Sequence, residues 1–131
     1  MNPAIADDIG KLILRLTLGI LLLFHGIPKL FGGVGGIAGM LEGVGLPSVF
    51  AYGVLVGEVL GPILVLIGWY ARVGAGLIAI NMLVALALVH SHELFQLSEN
   101  GALQLELQYF FLFVSVALAF AGPGRFSVNR T

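Results

Sequence analysis

One stretch of this chain limits its fold more than any other. From Leu14 to Phe31 the sequence is apolar and long enough to cross a bilayer, yet it carries Arg15, His25 and Lys29. At ~100° per residue, Arg15, Leu22 and Lys29 fall on nearly one line, with Gly19, His25 and Gly26 beside it. One stripe of this helix is polar and small, and the rest is Leu, Ile and Phe. A charge at bilayer depth costs roughly 2.5–3.5 kcal/mol on insertion scales. Such residues face a bundle interior or a wet cavity, so the remaining helices must supply partners for this stripe.

The rest of the chain is built to match. Only 10% of its 131 residues are charged and 59% are hydrophobic, where a soluble domain carries about 25% charge. At ~20 residues per span, the length allows four spans in a single domain, 1–131, with the lipid bilayer as its partner. The spacing predicts an all-α integral membrane four-helix bundle with spans at about 11–31, 49–69, 73–90 and 103–121. The first run is longer than a signal-peptide core and has no small-residue cleavage site after it, so it reads as a retained span. Basic residues near the amino-terminal side of the spans (Lys11, Arg15, Arg72, Arg125, Arg130) outnumber Lys29 alone on the other, which predicts both termini in the cytoplasm.

Two segments break the pattern. Gly32–Pro47 holds seven glycines in sixteen residues and is expected to be partly helical, folded over the bundle end or lying at the interface. Gly53, Gly57 and Gly61 recur every four residues along span 2, a face that permits close helix approach and homo-oligomer contacts. Pro28 should kink or terminate span 1, and Pro62 should bend span 2.

Composition also removes whole classes of chemistry. The net charge of −1 leaves no basic face for nucleic acid. The absence of cysteine removes disulfides, thiol redox chemistry, thiolate zinc and cysteine-bound iron–sulfur clusters. A redox role needs a bound cofactor, a quinone-like substrate or a partner subunit.

A rise of ~1.5 Å per residue turns the topology into a depth map. His25 and Glu58 come within ~5 Å of one depth, and Lys29 and Glu106 within a few Å. Arg15 lies nearer the cytoplasmic side, and either snorkels to the headgroups or reaches Glu58. The candidate ligand-binding or proton-exchange residues are Arg15, His25, Lys29, Glu58, Glu106 and Tyr109. A weak metal or haem set, His25 with His90 or His92, has uneven depths and opposed faces.

Three functions fit this column. It serves as a redox membrane subunit that binds a quinone or phenol between apolar walls, as a small proton-coupled carrier, or as a non-catalytic anchor whose ions only hold helices in register.

The motif Arg15-x-x-x-Gly19, then Phe24-His25-Gly26-x-x-Lys29-Leu30, resembles the first span of DoxX-like membrane proteins. Gly57-Glu58 with Gly61, Arg72, Glu106 and the ending Gly122-x-Gly124-x-x-Ser127 continue the resemblance over most of the chain; Asn129 stands where an acidic residue is common. The resemblance implies a four-span protein of the plasma (inner) membrane. It also implies an association with quinone-linked oxidoreductase complexes or redox stress, and a site drawn from Arg15, His25, Lys29, Glu58 and Glu106.

Overall fold

The first helix starts earlier than the apolar run. In the computed structural model, which describes residues 2–33, 35–43, 45, 47–88 and 106–129, α1 runs Pro3–Gly32. Asn2 caps it by accepting the Ala4 N–H at 2.8 Å, and Pro3 suits the first turn, where its missing N–H costs nothing. Its 30 residues span ~45 Å, longer than a ~30 Å hydrocarbon core. Pro28 does not terminate α1. The helix runs four residues further, to Gly32, and Gly33 at φ 86 caps it, its N–H bonding the Lys29 carbonyl.

The glycine-rich segment is partly helical, as its composition suggested: α2 runs Gly35–Gly43. Leu41 and Ala51, with Ala38 and Leu55, make a small cluster that seats α2 on the following 3-10 turn, Ser48–Tyr52. That turn opens one continuous rod. It passes through α3 (Gly53–Leu55), a π-helical turn (Val56–Leu60) and α4 (Gly61–Ile67), and stops at Gly68 in the left-handed region. Then come α5 (Ala71–Leu88) and α6 (Glu106–Ala121). No strand occurs among the described residues. The ends assigned at 89–90 and 103–105 by the sequence reading lie outside them.

Helix α1 packs on α4 and α6, and α5 packs on α4 and α6, around Leu18, Leu22, Val65, Ile78, Phe111 and Leu118. Gly61 and Gly74 let α4 and α5 touch backbone to backbone, since a Cβ on either would press on the other's carbonyl. The expected oligomer face is therefore largely used inside the chain. Gly61 packs on Gly74, Gly57 packs on Asn81, and only Gly53 faces open space.

Pro3–Lys29 and Val49–Ile67 are each long and apolar enough to cross a membrane, and their most apolar windows are only 28% and 39% buried. A core helix of a soluble protein would be mostly buried, so these faces need an apolar surrounding. Ile13, Phe24, Phe31, Ile63, Phe113 and Phe120 all point outward.

Candidate functional site

Chain geometry separates the polar residues of α1 into two places. At one end Arg15, 1% exposed, lies inside the fold. Its Nε donates to the Val65 carbonyl at 2.9 Å and its Nη2 to Leu66 at 3.1 Å. Its Nη1 donates to Pro123 at 3.0 Å and to Phe126 at 2.8 Å. It neither reaches Glu58 nor snorkels, as the depth map alone had allowed. The reason is local. The last carbonyls of a helix have no intrahelical donor, and here α1 and the tail cover them. Leu64 receives the Gly68 and Trp69 N–H groups, Ile67 receives Val128, and Arg15 takes the two carbonyls between.

At the other end Lys29 Nζ bonds Glu58 Oε2 at 2.5 Å. Depth counting had set His25 level with Glu58 and Lys29 level with Glu106, all within reach of one column. The π turn explains the different outcome. Pro62 has no N–H for the Glu58 carbonyl and crowds it, and the Gly61 N–H reaches back five residues to Val56. The displaced Glu58 carbonyl lies against Gly26, where a Cβ would overlap it. This one-residue change of register places the Glu58 side chain beside Lys29, one turn beyond Gly26.

The pair lies in the wall of a cavity of about 630 Å³. Helix α1 contributes Leu22, His25 and Lys29, and the rod contributes Val54, Gly57 and Glu58. Helix α5 adds Leu77, Asn81 and Ala85, α6 adds Leu107, Gln108 and Phe111, and Leu41 and Phe50 cover one side. The lining is apolar apart from His25, Lys29, Glu58, Asn81 and Gln108, and the volume suits a small ligand. The Glu58 side chain is 10% exposed and that of Lys29 33%, so the carboxylate is the more deeply held partner. The His25 ring stands edge-on to Phe111, with centroids 5.8 Å apart.

The structure thus groups His25, Lys29 and Glu58, and sets the other candidates apart. Glu106 is exposed at the start of α6, and with Tyr109 it lines a separate shallow groove against Leu14, Phe110 and Phe113. Among the described residues no three His, Cys, Asp or Glu side chains gather as a metal site, and His90 and His92 lie outside them. Sequence reasoning did not nominate Asn81 or Gln108. A lone amide inside Leu77-Ile-Ala-Ile-Asn-Met-Leu-Val84 is a signal that could have found Asn81.

Residues 10–91 match the DoxX family model, a region that holds Arg15, His25, Lys29, Glu58 and Asn81. The chain belongs to the DoxX family. A Bacillus subtilis (strain 168) protein named "Putative oxidoreductase CatD" is 32% identical over 115 residues, 88% of this chain and 81% of that protein. No solved structure matches this chain. With its outward apolar faces, this DoxX chain is a membrane protein.

Proposed function

We propose that this DoxX protein is a four-span bundle of the plasma membrane, both termini cytoplasmic, that binds a quinone or related phenolic molecule on behalf of an oxidoreductase. The observation that carries this reading is the Lys29–Glu58 pair set in an otherwise apolar cavity of about 630 Å³. A quinone needs apolar walls and a few polar groups at its oxygens. Lys29 is a donor to a carbonyl oxygen, and Glu58 is an acceptor for a quinol hydroxyl. His25, one turn from Lys29, is the third group able to exchange a proton with the ligand. Quinone becomes quinol by gaining two electrons and two protons. The electrons come from the redox cofactor of a partner oxidoreductase, and this chain contributes the site and the proton exchange. The relative named as an oxidoreductase supports the link to such chemistry.

The test is native mass spectrometry of the protein in mild detergent, followed by organic extraction. A retained quinone that is lost in Glu58→Gln is the expected result. An empty protein that carries a second polypeptide instead overturns the ligand reading and favours an anchor.

A further inference from the structure

Two side chains in the cavity wall have no task in the reading above. Asn81, half-buried in α5, and Gln108, half-buried in α6, both face the cavity. Neither has a hydrogen-bond partner among the described residues. Each amide is half-buried, and what enters the cavity can satisfy it. Asn81 is also fixed in place. Its side chain lies over Gly57, where any Cβ would collide with it, so it sits next to Glu58. The ion pair adds a second constraint. Lys29 and Glu58 contribute one charge of each sign at hydrogen-bond distance, and they cancel. An anion entering the cavity would have to compete with Glu58 for Lys29.

We infer that Asn81 and Gln108 are ligand-binding residues, and that they select an uncharged aromatic carbonyl or hydroxyl compound over its anionic analogue. An amide offers both donor and acceptor, so each of these residues serves a carbonyl oxygen and a hydroxyl alike. A neutral ring carrying two such oxygens satisfies both amides and leaves the ion pair intact. This rests on the quinone reading and narrows it to the uncharged forms.

The test uses two naphthoquinones of similar size. Menadione is uncharged, and 2-hydroxy-1,4-naphthoquinone is an anion at neutral pH. Binding is measured by equilibrium dialysis of the full chain in mild detergent, with protein-free micelles as the blank. The wild type should hold menadione at least ~10-fold tighter than the anion. Asn81→Leu and Gln108→Leu should each weaken menadione about 10-fold, the effect of one lost hydrogen bond, with thermal unfolding no lower than wild type. Equal or tighter binding of the anion overturns the inference and points to His25 or Lys29 as a free cation. Wild-type menadione affinity in a folded Gln108→Leu or Asn81→Leu also overturns it, and the quinone reading then stands. A wild type that binds neither compound removes both.

Discussion

Arg15 and Lys29 lie on one stripe of one helix, and the fold treats them in opposite ways. The Arg15 guanidinium is sealed in and satisfied by four carbonyls from two segments of the chain. Among the described residues the Lys29 ammonium has one partner, Glu58, and it borders an open cavity that two amides also line. The difference follows from what each end lacks. Around Arg15 the surplus is of acceptors, because α4 ends there and the tail crosses it, and a planar fork of five donors suits such a surplus. Around Lys29 the rod continues through its π turn, and the acceptor it presents is the Glu58 carboxylate. A buried cation therefore marks a joint in one place and a site in the other, and the surrounding backbone decides which.

Removing Arg15 should produce the largest effect. Arg15→Leu leaves the Val65 and Leu66 carbonyls without donors and releases the tail at Pro123 and Phe126, a loss of about 3–4 kcal/mol in unfolding from detergent. Arg15→Lys should rescue little, because a compact ammonium cannot span four carbonyls. Near-complete rescue by lysine would mean that charge at the end of α4 matters and the fork does not. Next comes Gly26→Ala. Its methyl group would press on the Glu58 carbonyl, so α1 and the rod must part, at about 1–3 kcal/mol. The same shift moves Glu58, so ligand retention should fall in this variant as well. An unchanged unfolding midpoint would show that the π turn yields freely.

These two residues also show where the sequence was legible. The stripe of Arg15, His25 and Lys29 follows from a helical period and needs no tertiary knowledge. The apolar helices and the partly helical glycine-rich segment follow from composition. The partners were not legible, because depth was counted with a uniform rise. Pro62 and the π turn change the register of the rod at Glu58, Gly26 makes room for the displaced carbonyl, and a one-residue change turns a side chain by ~100°. Arg15 was harder still. Its acceptors are backbone carbonyls at a helix end and in the tail, and these carry no residue-type signal. Asn81 was visible as a polar residue in an apolar run, but its meaning depends on Gly57 opposite it.

The cavity end should respond more mildly. Glu58→Gln and Lys29→Met should each destabilise the fold, and the double variant should lose less than their sum, with a coupling of about 1–2 kcal/mol. Arg15→Gln combined with Glu58→Gln should be additive within ~0.5 kcal/mol, since the two sites share no partner. Coupling between Arg15 and Glu58 instead would restore the longer route that the depth map allowed. It would also dissolve the contrast between a closed end and an open one.

The smallest effect tests whether the closed end depends on its outer contacts. Asp8 accepts from Arg125 Nε at 3.0 Å and from the Arg125 backbone N–H at 3.1 Å, which ties the tail to the first turns of α1. The Arg125 side chain is 45% exposed, so the ion pair is partly screened, and the main-chain bond is the sturdier half. Asp8→Ala should therefore cost only about 0.5–1 kcal/mol, and Asp8→Asn, which keeps an acceptor for the N–H, less. Hydrogen exchange at the Val128 and Asn129 amides, which bond Ile67 and Gly68, reports whether the tail has lifted. Protection that persists in Asp8→Ala and vanishes in Arg15→Leu would place the closure of this end in the buried guanidinium. Loss in both would make the closed end a cooperative clasp, with Arg15 only its innermost contact.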